Sequence, residues 1–449
     1  MTHILIIGGS DAGISAALRA RQWDSSTDVT LVLRDDYPNF SICGLPYFLS
    51  GEVPDWHRLA HRTRAELEAA GITLLGGTTA TRLDAAAHRV EVQDDAGART
   101  LRYDRLVIAT GAEPVRPPLP GLDAPGVFLL HHMGQGLALA EYLERRRPAR
   151  AVVIGAGYIG CEMVDALSRR GLQVTVMEQA PAVLPTVDPA LGQILGRRMA
   201  ERGVEVLCGT PVARIEQRPS LVVVTRDGQE READLVLVAA GVRPATALAR
   251  QAGMRLGVLG AIPVTPTMAT DLPDVWAAGD CVETRHALLN TPTYLPLGTT
   301  AHKQGRVAGE NAAGGERVFA GSVGTQAVLV FDLVAARTGL RDAEAAKAGW
   351  NPRTSELTCW DHKVYYPGAE PLVTRLTGDE RTGRLLGLQL LGHRSGEVAK
   401  RVDIAAVALQ QGLSVDALSD LDLSYTPPLG SPWDPVQMAA QDWSAGRRM

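Results

Sequence analysis

Two glycine-rich turns, each set between an apolar run of strand length and a helix-length segment, predict an α/β chain with two Rossmann-like dinucleotide-binding domains. From about residue 325 the pattern changes to alternating strands followed by helices, which predicts a C-terminal α+β domain suited to pairing two subunits. The 449 residues leave room for several such units at roughly 100–200 residues each. Apolar residues at 45% and charged residues at 21% exclude a disordered chain, and a net charge of -5 argues against a nucleic-acid partner. No apolar run reaches the roughly 18 residues of a membrane span, and the N-terminus lacks a secretory leader, so a cytoplasmic location is expected. The cysteines at 43, 161, 208, 281 and 359 show neither CxxC spacing nor an even framework, so no metal site or structural disulfide is expected.

The first unit runs from the strand Ile4–Ile7 through Gly8-Gly9-Ser10-Asp11-Ala12-Gly13 into a helix over 14–22, then a strand over 29–33. Such a turn aims backbone N–H groups and a helix N-terminus at a pyrophosphate. Gly8, Ser10, Ala12, Gly13 and Arg34 are the residues expected there. Ser10 stands in place of the second glycine, and Leu33 occupies the place of an acidic ribose partner.

The second unit is complete. A strand over 151–154 enters Gly155-Ala156-Gly157-Tyr158-Ile159-Gly160, a helix over 161–170 follows, and the strand over 174–177 ends at Glu178. Gly155 permits the turn, Gly157 the approach of the pyrophosphate, and Gly160 close helix–strand packing. Glu178 is placed to accept from a ribose diol and to repel a 2′-phosphate, which favours NADH over NADPH while leaving NADPH open. Ile159 and Glu162 complete the expected contacts.

Other apolar strands end in small residues plus glycine: Ala109-Thr110-Gly111, and the run that ends at Gly241. Val275–Asp280 delivers Gly279 and Asp280, and Leu297, Thr300 and Ala301 open a further helical segment.

Together these segments resemble the pyridine-nucleotide disulfide oxidoreductases over essentially the whole chain. The resemblance implies bound FAD and a nicotinamide cofactor, with Asp280 on the flavin ribityl chain, the Leu297 helix at the flavin edge, and Tyr158 as a gate over the flavin. It also implies an FAD domain (1–117 and 245–324) interrupted by an NAD domain (118–244) and followed by a dimerisation domain (325–449). Where many members carry a cysteine pair, this chain has Ser41-Ile42-Cys43-Gly44-Leu45-Pro46-Tyr47, with one cysteine. That is similar to the single-cysteine branch: coenzyme A-disulfide reductases, persulfide reductases and NADH oxidases.

A lone thiolate cannot store two electrons as an internal disulfide, so it must form a mixed disulfide or a sulfenic acid. A helix beginning at Cys43 would favour its thiolate. Cys161 and Cys281 beside the cofactor motifs read as packing residues. Tyr365 and Tyr425 resemble the tyrosines that complete the partner subunit's substrate site, which implies a homodimer. Ser10 and Asp11 replace the histidine that oxidase and peroxidase relatives carry. Gln22 and Gly71 are not the basic residues expected to hold coenzyme A phosphates, so Arg19, Arg21, Arg58, Arg62 and Arg64 are the candidates to replace them. The function expected is FAD-dependent NAD(P)H reduction of a low-molecular-weight disulfide or persulfide, with coenzyme A as a candidate thiol. The alternative is an NADH oxidase, or a quinone or metal reductase, in which electrons leave FAD directly.

Overall fold

A computed structural model describes residues 1–447. Its two central sheets are built alike. In the first, the strands Val275–Ala277, Arg105–Ile108, His3–Ile7, Asp28–Val32 and Ile72–Leu75 lie side by side in that order, all parallel. In the second, the order is Glu205–Cys208, Gln173–Glu178, Arg150–Ile154, Leu235–Val238 and Val127–Leu129, again all parallel. The near-continuous apolar runs Ile4–Ile7 and Ala151–Ile154 are buried because such strands are covered on both faces. Each sheet has a three-stranded antiparallel companion, over residues 79–102 and 212–233. A two-stranded ribbon, Ala112–Pro114 with Val242–Pro244, joins the two halves.

The helices begin earlier than their apolar periodicity suggests. The first spans Asp11–Trp23 with Ser10 as N-cap, and the second Tyr158–Arg169 with Gly157 as N-cap. Both start inside the glycine turn. Helix Gly298–Ala312 crosses the first helix at very short range. A Cβ on Gly305 or Gly309 would stand 2.2 or 2.1 Å from the carbonyl oxygens of Ala12 and Ala16.

The third sheet is antiparallel: Gln326–Val330, Leu333–Gly339, Leu385–His393, Pro371–Asp379 and Pro352–Trp360. Helices Val398–Gln410 and Pro435–Arg447 supply apolar residues to its core, including the fully buried Trp443. The apolar alternation over 327–331, 372–376 and 385–391 marks three of these strands in the sequence, and Leu333–Gly339 and Pro352–Trp360 fall along the chain between the first two of those runs. No helix is long and apolar enough to cross a membrane among the described residues.

Candidate active site

Cys43 lies in a 3-10 turn, Ile42–Gly44, immediately before the short helix Leu45–Ser50 with Pro46 in its first turn. This turn is fastened from both sides. Asn39 donates its N–H to Gly9 O at 2.9 Å, and Ser41 donates to Leu59 O at 2.8 Å. Leu45 and Leu49 pack into the same core as Cys161 and Val164 of helix Tyr158–Arg169, while Arg170 donates to Leu49 O. The sulfur is therefore held between the two nucleotide-type halves.

The environment corrects one expectation. Cys43 precedes the helix rather than opening it, and its thiol is pushed up to about 11 by burial and by the charges of Glu162, Asp11 and Asp280. The residue is nevertheless exposed to solvent. Glu162 is itself raised to about 7 by burial and by Asp165. Asp280 is raised to about 7 by burial and by Asp11.

The cofactor candidates fall around this point. Gly279 N–H donates to Gln304 Oε1 at 3.0 Å, and Gln304 in turn donates to Thr284, so a buried amide fixes the Gly279–Asp280 turn. The Asp280 carboxylate makes no hydrogen bond among the described residues, a state that a ribityl hydroxyl would relieve. Thr110 Oγ1 donates to Ala245 O, and Thr300 and Ala301 are buried in the first turn of a helix that Leu297 caps. Arg34 Nη2 approaches His132 Nε2 at 3.3 Å at the exposed end of the first sheet.

In the second half, Gly155 has φ +97 and Gly241 φ +95, conformations that side chains other than glycine rarely adopt. A Cβ on Gly157 would meet nothing within 4 Å, which leaves an open cradle at the helix N-terminus. Glu178 accepts N–H bonds from Ala156 at 2.7 Å and Ala180 at 2.8 Å, with lone pairs left for a diol. Tyr158 places its hydroxyl in a buried position with no partner among the described residues, and burial raises its pKa. Cys161 and Cys281 are wholly buried and donate to backbone carbonyls, Cys161 to Ala156 and Cys281 to Ile108 and Ala278, as packing residues do. These features fit a flavin dinucleotide in the first half and a nicotinamide dinucleotide in the second.

A cavity of about 530 Å³ runs between the two helices of the first half. Its wall includes Asp11, Asn39, Arg19, Arg62, Lys303 and Arg306, with His61 and His302 among the remaining residues. Of the arginines proposed from sequence, Arg62 lines it and has no ion pair among the described residues. Arg19 lines it too, but pairs with Glu310 at 2.7 Å. Arg21 is committed to the backbone carbonyls of Ala70, Ser25 and Thr27, and Arg64 approaches Asp36 and Glu68. Sequence reasoning missed Lys303 and Arg306, although their i, i+3 spacing on one helix face was a usable signal. Gln304 was missed as well.

Tyr365 and Tyr425 are exposed and contact one another, phenol to phenol, which raises the Tyr425 pKa. Neither is among the groups that influence Cys43 within the chain.

The sequence profile of the family described as pyridine nucleotide-disulphide oxidoreductase matches residues 2–305, and that of its dimerisation domain matches residues 325–435. A CoA-dependent NAD(P)H sulfur oxidoreductase of Pyrococcus abyssi is 33% identical over 439 residues, covering 98% of this chain and 97% of that protein. Among solved structures, an NAD-dependent persulfide reductase from A. fulgidus superposes with a TM-score of 0.96 at 36% identity, over 99% of this chain and 84% of that one. A water-forming NADH oxidase from Lactobacillus brevis does so with a TM-score of 0.95 at 26% identity, over 100% and 99%.

Proposed function

The chain belongs to the pyridine nucleotide-disulphide oxidoreductases, and from that premise we propose that it reduces a coenzyme A-type disulfide or persulfide with NADH through Cys43. The observation that carries this reading is the basic cavity. Arg62, Lys303 and Arg306 face it without an ion pair among the described residues, an arrangement suited to phosphate groups. Asn39 adds a second sign. It is buried, holds a left-handed backbone at φ +59, lines the cavity, and leaves Oδ1 without a partner among the described residues. An orphaned amide there calls for a polar ligand. Asp11, one of the charges felt by Cys43, lies in the same wall, so a thiol carried on a phosphate-bearing handle would arrive at the sulfur.

In this reading residues 1–117 and 245–324 hold FAD, and residues 118–244 hold NADH, with Glu178 disfavouring the 2′-phosphate of NADPH. Bound FAD supplies a two-electron relay between nicotinamide and sulfur. The chain's own part is to orient and to exchange. Gly157 lets the pyrophosphate approach the backbone, Gly160 lets helix and strand pack closely, Tyr158 gates the flavin until nicotinamide displaces it, and Asp280 with the Gly298–Ala312 helix holds the flavin. Cys43 takes one sulfur of the substrate as a mixed disulfide. Residues 325–449 pair two subunits, and Tyr365 and Tyr425 complete the partner's site, where a phenol can bond the departing sulfur.

The test compares acceptors in the wild type and in Cys43→Ser: coenzyme A disulfide, polysulfide, oxygen and menadione. Disulfide turnover should fall by roughly 10³-fold or more in the variant, while NADH still bleaches the flavin. Oxygen or quinone turnover that exceeds disulfide turnover and survives the substitution establishes the oxidase or quinone-reductase alternative instead.

A further inference from the structure

We propose that Arg337, on the dimerisation sheet, is a positioning residue of the nicotinamide site: it fixes the loop Leu184–Val187 that closes on the second glycine turn, and so sets the affinity for NADH. The inference rests on the assignment of the nicotinamide dinucleotide to residues 118–244. Loop and turn meet through the backbone. Leu184 donates its N–H to Ala156 O at 2.7 Å, and Ala156 donates its own N–H to Glu178 Oε2 at 2.7 Å. One residue of the turn is thus tied both to the loop and to the carboxylate placed for the ribose. Leu184 is fully buried at φ +51, a left-handed conformation that a leucine keeps only when its surroundings impose it.

That constraint comes from the dimerisation domain. Arg337 Nη1 donates to Thr186 O at 2.6 Å, and Arg341 Nη1 donates to Pro185 O at 3.0 Å and Val187 O at 2.9 Å. Two arginines therefore satisfy three consecutive carbonyls of the loop. Glu344 orients both, accepting from Arg337 at 3.1 and 2.6 Å and from Arg341 Nε at 3.0 Å. Arg337 is buried, where such charge-assisted bonds are strongest. It also meets the loop at the residue that borders the gate. The hydroxyls of Thr186 and Tyr158 are both buried and unpartnered among the described residues. Burial raises the Tyr158 pKa, and Thr186 and Arg337 oppose that rise.

A second junction joins the same two domains and provides an internal comparison. Arg198, on the helix Pro189–Glu201, donates to Asp332 Oδ1 at 2.9 Å, and Arg202 donates to Asp332 Oδ2 at 2.8 Å. Asp165 accepts from Phe331 N at 2.9 Å beside them. These groups form no hydrogen bond to Leu184–Val187 among the described residues. One junction holds the domains together, whereas the Arg337 junction also holds the loop against the glycine turn.

The experiment mixes holoenzyme, normalised to bound flavin, anaerobically with a range of NADH concentrations and follows flavin bleaching. Arg337→Met should raise the half-saturating NADH concentration about 10-fold and leave the limiting rate within about 3-fold of the wild type. Arg337→Lys keeps a cation able to donate to Thr186 O and should recover part of the loss. Arg198→Met should lower the denaturant midpoint as Arg337→Met does, yet keep the half-saturating concentration within about 2-fold of the wild type. Bleaching by dithionite, which needs no dinucleotide site, should be the same in all of them. If Arg337→Met yields no holoenzyme, Arg341→Met, which frees Pro185 O and Val187 O with Arg337 in place, must show the same rise in half-saturating NADH. An equal rise in Arg198→Met, no rise in Arg337→Met, a loss confined to the limiting rate, or no recovery in Arg337→Lys overturns the proposal. A wild type that dithionite bleaches and NADH does not would instead defeat the nicotinamide assignment on which it rests.

Discussion

The two glycine turns have nearly the same backbone and different chemistry. Gly8 N donates to Val32 O and Gly155 N to Met177 O, each at 2.8 Å. Ser10 and Gly157 cap their helices at φ −98, ψ −162 and φ −73, ψ −164. What differs is the group that closes the turn. In the second unit the Glu178 carboxylate accepts from Ala156 N, whereas in the first the Leu33 side chain packs on Gly9, where a Cβ would stand 3.0 Å from Leu33 Cβ. One turn is closed by a charge able to meet a ribose, the other by apolar contact. The fold therefore demands only some of the fingerprint, and the proposed reading gives the remainder to the ligand.

The positions the fold demands should show the largest effect. A Cβ on Gly13 would stand 1.8 Å from Gly8 O, and on Gly160 2.0 Å from Gly155 O. Both are backbone atoms that cannot yield, so alanine at either should destabilise its unit by about 3 kcal/mol or more, the upper end for overpacking. The functional consequences should separate. Gly13→Ala should purify without flavin absorbance, while Gly160→Ala should remain yellow and fail to bleach with NADH. Flavin loss in Gly160→Ala alone would break the assignment of one dinucleotide to each half.

How much of the molecule is legible in the sequence follows from the same distinction. Glycine spacing and the Gly279–Asp280 strand end are local features, so both nucleotide units and the Cys43 segment can be read from the order of residues alone. The basic cavity cannot, because Arg19, Arg62 and the Lys303–Arg306 face come from three distant segments. Nor does the sequence reveal that Arg21 is bound to carbonyls. In the third sheet, Leu333–Gly339 and Pro352–Trp360 escape for a different reason. The first buries Arg337, paired with Glu344 at 2.6 Å, and the second alternates Thr, Ser and Glu with few large apolar residues. Neither carries the apolar signature of a strand, and sheet neighbours decide their state.

The closing groups should give the next largest effect, and in opposite currencies. Glu178→Ala leaves two N–H groups without their acceptor and removes the diol partner. Losing hydrogen bonds to a charged group is worth about 1.5–3 kcal/mol, so KM for NADH should rise about 10–100-fold with FAD content intact. Leu33→Ala removes a buried contact and should lower stability by about 2–3 kcal/mol in denaturant unfolding, with NADH kinetics unaltered. If Leu33→Ala changed the NADH KM as much as Glu178→Ala, the two turns would not be functionally separate.

The smallest effect is the most discriminating, because it concerns a position where the two turns share geometry and differ in residue. Ser10 makes no side-chain cap bond, so Ser10→Gly should change stability by only about a few tenths of a kcal/mol and leave flavin content unchanged. A Cβ on Gly157 would meet no protein atom within 4 Å, so Gly157→Ser should unfold at the same denaturant concentration as the wild type. In the proposed reading a pyrophosphate approaches the backbone through that open space, so the added side chain should weaken NADH roughly 10-fold while sparing flavin. A serine is thus tolerated in one turn and harmful in the other at matching backbone angles, which only the ligand can explain. Equal NADH affinity in Gly157→Ser would mean that the second glycine serves the fold rather than the cofactor, and the first turn's Ser10 would then need another account.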